Sequence, residues 1–218
     1  MEFLEIENTR VIHLTRVRRP AGQLYLPGAA AKLIERYSFV KSPSMTDLTE
    51  RRDYVAFGIG KFLDSQIQEL RIYGDGVIVE ARSNSKILDA FVDDLLTWNT
   101  EEFGLETIPG TKAERYHEST IVVRSGKDLS KVTGPLREIS SELNKLLQKQ
   151  NYSPRPYQVS GFILDCDPHA EGGRRKELSF ILDRRMGAAF AENRFFSQAP
   201  LPTDDHFALL ERIEALVP

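Results

Sequence analysis

Apolar and polar residues alternate with a period of two in several stretches of this chain and follow a helical period in others. Two alternating runs between Gln68 and Arg82 meet at Gly74-Asp75-Gly76, a cluster that supplies the positive φ angles of a tight hairpin. Leu70 and Ile72 share one face of the first run, and Val77, Val79 and Ala81 share one face of the second. Residues 84–103 follow at once, with apolar pairs at Ile87/Leu88, Phe91/Val92 and Leu95/Leu96 and with Trp98 and Phe103 beyond. That stripe is broader than a coiled-coil seam and predicts a helix lying across a sheet. Ser83 or Ser85 is its expected N-cap, and Asp89 falls in an early turn where the helix dipole favours acid.

Upstream, Thr9–Arg19 reads as a strand with Val11, His13, Thr15 and Val17 on one face, ended by Pro20-Ala21-Gly22. Pro27 opens a short helix through Arg36, where its missing N–H costs nothing. Lys41–Asp53 has no apolar period and reads as a loop. Tyr54–Phe62 alternates again.

Pro109-Gly110 breaks the pattern and divides the chain into halves, 1–107 and 108–218. The second half reads β-α-β-β-α. Its strand at Ser119–Arg124 precedes Lys127–Gln150, where Leu129, Val132, Leu136, Ile139, Leu143 and Leu146 recur at alternating spacings of three and four. This seam reads as a helix packed on a sheet, with Gly134-Pro135 marking either a kink or the start of the main helix. Strands follow at Tyr157–Cys166 and Glu177–Arg184, then a helix from Thr203 with Phe207, Leu210 and Ile213 as its buried stripe. Strands followed by a helix, twice, predict an α+β fold of two antiparallel sheet-plus-helix halves, separate or sharing one continuous sheet.

Composition narrows the function classes. A net charge of −3 over 218 residues argues against a generally cationic nucleic-acid binder. A lone cysteine, Cys166, forbids an intrachain disulfide and a cysteine-based zinc cluster, which suits a reducing cytosol. No apolar run reaches membrane-span length, and the acidic start MEFLEIENTR lacks the features of a signal peptide. The expectation is a soluble, cytoplasmic protein with no membrane partner and no cofactor.

Candidate chemistry is sparse. Gly58-Ile59-Gly60-Lys61 fails as a phosphate loop, since Val55 and Phe62 stand where such a loop needs glycine and a hydroxyl. Cys166 falls in an apolar alternation, which predicts an inert, buried thiol. Asp165, Asp167 and His169 stand at alternate positions and could ligate a hard divalent metal if the chain stayed extended past Pro168. Glu177 and Asp183 are the neighbouring carboxylates, and the set supports a metal-dependent hydrolase or nuclease as an alternative to a polar strand exit. Arg174, Arg175 and Lys176 follow a Gly-Gly pair and offer a phosphate or nucleic-acid site as a further alternative. No constellation assigns a catalytic residue.

The hairpin that ends the second half points elsewhere. Phe162 and Leu164 face one way, as do Leu178, Phe180 and Leu182, while Ile163 and Ile181 face the other. Apolar residues on both faces imply a sheet covered on both sides, by this chain or by a second subunit. The reading is therefore a non-catalytic interaction or assembly protein, self-associating through Phe162, Leu164, Leu178, Phe180 and Leu182, with another protein as an alternative partner.

Overall fold

The computed structural model describes residues 1–20, 24–50, 53–149, 156–167 and 178–217. The fold is α+β, in two compact units. The amino-terminal unit comprises residues 6–119 and 201–203, and the carboxy-terminal unit comprises 1–5, 120–200 and 204–218.

In the amino-terminal unit, neighbouring strands follow the order β3 (Tyr54–Phe62), β4 (Ser65–Tyr73), β5 (Gly76–Ala81), β1 (Glu2–Leu14) from residue 6 onward and β7 (Glu114–Arg124) up to residue 119. β1 starts earlier than Thr9, because the charged alternation at its beginning hides a strand. It stops at Leu14, leaving Val17–Arg18 as a separate short strand, β2, paired with β6 (Glu106–Thr107). The predicted hairpin forms with Leu70 opposite Val79 and Ile72 opposite Val77. The β4–β5 register shifts between Ile67 and Glu69, a bulge that the alternating pattern did not reveal. It lets Ile67 and Leu70, three apart, both face inward with no exposure. Gly60 is explained by crowding, since a side chain there would run into the Phe39 ring.

Helix α3 (Ser85–Phe103) crosses this sheet, and Leu88, Phe91, Val92 and Leu95 are fully buried beneath it. Its N-cap is Asn84, whose side chain accepts the Lys86 N–H, rather than either flanking serine. Helix α1 (Leu26–Tyr37) contributes Ala30, Leu33 and Tyr37 to the same apolar cluster. The Tyr37 ring sits among those of Phe39, Phe62, Phe91 and Trp98. The expected loop at 41–53 contains one short helix, α2 (Met45–Thr49), started by a reciprocal Ser44–Asp47 capping box.

In the carboxy-terminal unit, β10 (Arg194–Ala199) pairs with β9 (Phe180–Arg184), and β9 pairs with β8 (Phe162–Leu164). β8 and β9 are shorter than the sequence suggests, and β10 was hidden because its inward positions are Phe195, Ser197 and Ala199. At Gly134-Pro135 a one-turn 3-10 segment (Leu129–Thr133) ends, and α4 (Leu136–Lys149) begins just after the proline. The expectation that the seam here packs into a core holds for Leu129 and in part for half-buried Val132. Leu136, Ile139, Leu143 and Leu146 of α4 are exposed, because the unit's remaining elements contact the helix elsewhere: Ser140 and Asn144 hold the backbone of Tyr157.

His206, expected to decorate the start of α5 (Thr203–Leu216), is instead completely buried. The Ser197 hydroxyl donates to the Ile181 carbonyl at 2.7 Å, so His206 Nε2 must donate to Ser197 at 2.8 Å. The pair is thus a core hydrogen-bond relay, with the serine proton already committed. Burial pushes the His206 pKa down to about 4 from its ordinary 6.5. The unfolded chain therefore takes up a proton before the folded chain does as pH falls, and stability is lost between 6.5 and 4. That window carries a loss of about 3 kcal/mol from this group. In urea titrations, His206→Leu should lose distinctly less stability between pH 7 and pH 4.5 than the unsubstituted protein. Equal acid losses in the two proteins would refute this account of His206.

Candidate functional site

The amino-terminal unit carries a partly open pocket. A cavity of about 420 Å³ remains between its sheet and its helices, within the range of small-molecule sites. Its floor is Val55 and Phe57 of β3, Ile72 of β4, Val77 of β5 and His13 of β1. α1 supplies Leu26, Ala29, Ala30 and Leu33 to one wall, and α3 supplies Leu96, Asn99, Thr100 and Phe103 to another. Leu48, Leu105 and Thr107 also line it, and the exposed Val17 and Ala113 lie at its open side. Ile72 and Val55, which alternation places with the core, stay only half-buried for this reason.

One end of the cavity is polar. Arg115, on β7, donates from Nη2 to Asp93 at 2.6 Å, from Nη1 to Asp89 at 3.2 Å and from Nε to His13 Nδ1 at 3.4 Å. Asp89 lies 3.0 Å from His117 Nε2 through both carboxylate oxygens. Asp89 and Asp93 are one helical turn apart on α3, so they present adjacent carboxylates to the strand that carries Arg115 and His117. Burial, then the neighbouring Arg115 charge, pushes the His13 pKa below the ordinary histidine value, against a smaller pull from Asp93. His13 is therefore neutral, and with Nδ1 accepting from Arg115 its proton sits on Nε2.

The opposite face of these strands carries paired charges. Arg10 bridges Glu80 at 2.9 Å and Glu118 at 2.8 Å, and Arg71 pairs with Glu69 and Glu80. Its guanidinium groups are thus matched by carboxylates already in place.

The residues singled out from sequence fall elsewhere. Asp165 and Asp167 are exposed, while His169, Glu177 and the Arg174–Lys176 cluster lie outside the described residues. Among the described residues no three His, Cys, Asp or Glu side chains gather as a metal site. Cys166 is exposed, contrary to the expectation of a buried thiol, because β8 ends at Leu164. Phe180 and Leu182 are buried, Phe162 and Leu178 half-buried, and Leu164 is 60% exposed. Among the described residues no helix is long and apolar enough to cross a membrane.

Sequence reasoning did not identify His13, Asp93 and Arg115 as a site. The available signal was a histidine on the apolar face of a strand, between Val11 and Thr15. Nothing in the chain's periodicity connects it to an arginine about a hundred residues later.

No family model and no curated protein matches this sequence. Among solved structures the chain is similar to Methanococcus jannaschii TBP, with 12% identity over 98% of each chain and a TM-score of 0.44.

Proposed function

We propose that the protein binds a small, largely apolar molecule in the cavity of its amino-terminal unit. The observation that carries this reading is the cavity itself, about 420 Å³ of space walled mainly by aliphatic and aromatic side chains. Half-buried side chains such as Val55 and Ile72 face this partly open space, and an apolar ligand seated in it takes their surface out of water. The walls come from α1, α2, α3 and the strands they cover, and this reading takes the site as preformed.

Filling the space separates binding from folding. Ile72→Trp places an indole into the cavity from its floor. The expected result is loss of Nile red binding, read by fluorescence, with a melting temperature unchanged or raised. Full Nile red binding by the folded variant would contradict the reading.

A second reading, assembly between copies of this chain, rests on α4. Leu136, Ile139, Leu143 and Leu146 form a stripe on this helix that is exposed among the described residues. An antiparallel two-fold pairing sets Leu136 against the second copy's Leu146 and Ile139 against its Leu143, so every contact recurs by symmetry. Phe180 and Leu182 are already covered within the chain, which moves the assembly surface from the hairpin to this helix. Light scattering should give twice the 24.8 kDa chain mass, falling to the single mass in Leu143→Glu. A single mass that persists on concentration would remove the assembly reading.

A further inference from the structure

Building on the cavity reading above, we infer that the ligand is a slender amphipathic amine, its apolar body lying along α3 and its ammonium group held by Asp93. The pocket is long in one direction. Asp93, Leu96, Thr100 and Phe103 line it at spacings of three and four, so they form a single stripe on α3. At roughly 1.5 Å of rise per residue the stripe runs about 15 Å, from an acidic start to an aromatic end. A space of about 420 Å³ drawn out over that length takes an elongated body rather than a compact one.

The acidic start carries a surplus of negative charge. Arg115 donates to Asp93 at 2.6 Å and to Asp89 at 3.2 Å, one cation between two carboxylates. His13 adds no charge, being held neutral by burial and by the neighbouring guanidinium. The two acids differ in what they have left to offer. Asp89 is engaged through both oxygens, which meet His117 Nε2 at 3.0 Å. Asp93 accepts from Arg115 through Oδ1 alone, and among the described residues nothing donates to its Oδ2. Its side chain is 65% exposed, so an ammonium group that reaches Oδ2 keeps part of its hydration and avoids the cost of a buried charge. A carboxylate head meets the reverse situation. Each nitrogen of the Arg115 guanidinium already donates, to Asp89, Asp93 or His13, and the surplus charge repels a further acid.

Three ligands that share a 4-butylbenzyl body test this: 4-butylbenzylamine, 4-butylbenzyl alcohol and 4-butylphenylacetate. They are titrated calorimetrically at pH 8, above the ordinary histidine range and below that of an aliphatic amine. The amine should bind about fivefold more tightly than the alcohol, as a partly solvated ion pair allows, and the acetate more weakly than either. Raising the salt to about 0.5 M should remove most of the amine's advantage and leave the alcohol nearly unchanged, a readout that needs no variant. Asp93→Asn, which leaves Arg115 paired with Asp89, should bring the amine to the affinity of the alcohol. An alcohol that binds as tightly as the amine, an acetate that binds more tightly, or an amine advantage that survives Asp93→Asn would overturn the inference and leave the cavity reading intact. Failure of all three to bind the folded protein would overturn both.

Discussion

The amino-terminal unit depends on burying one side of α3 against the strands that precede it. Leu88, Phe91, Val92 and Leu95 lose all contact with solvent there, against Ile67, Leu70, Val79 and Ala81. At roughly 1.5–3 kcal/mol for each fully buried large side chain, this contact outweighs any surface ion pair in the unit. It also fixes where Asp89 and Asp93 point. Both stand on the same helix, one turn apart, and Arg115 on β7 joins them to His13 on β1. The hydrophobic contact thus positions the polar end of the cavity, although it supplies none of its polar groups.

The cavity follows from the same arrangement. A helix laid across a sheet covers a band about one helix wide, and the remaining sheet surface needs a second element. α1 supplies it through Ala30 and Leu33, but its small residues, Ala29 and Ala30 among them, do not reach the floor at Val55 and Ile72. Space remains where the coverage of the two helices falls short. The polar residues line up at one end of that space, where β1 passes from Val11 to His13 and Thr15.

How far the sequence revealed this depended on the range of each signal. The β4–β5 hairpin, its Gly74-Asp75 turn and α3 were legible because each depends on a period or a turn within a few residues. β10 was not, because Ser197 and Ala199 occupy inward positions without looking apolar. The bulge after Ile67 was not, because one extra residue leaves the alternation on either side intact. α4 shows the opposite failure: its three-and-four spacing is real, yet it does not say whether anything covers the stripe. The cavity was the least legible feature of all. Periodicity says which side chains face inward and is silent on whether two facing layers fill the volume between them. His13 and Arg115 meet only through strand order, which no local pattern encodes.

The central claim, that folding leaves a preformed apolar space, can be tested with a probe that has no chemistry of its own. Xenon enters dry apolar cavities and shifts the resonances of the methyl groups that line them. Under increasing xenon pressure, the methyls of Val55, Ile72 and Leu96 should shift along saturating curves, while those of Val79 and Leu88, packed in the filled core, stay in place. Unshifted lining methyls, or small linear shifts spread evenly over all methyls, would mean that the interior is filled and the account is wrong.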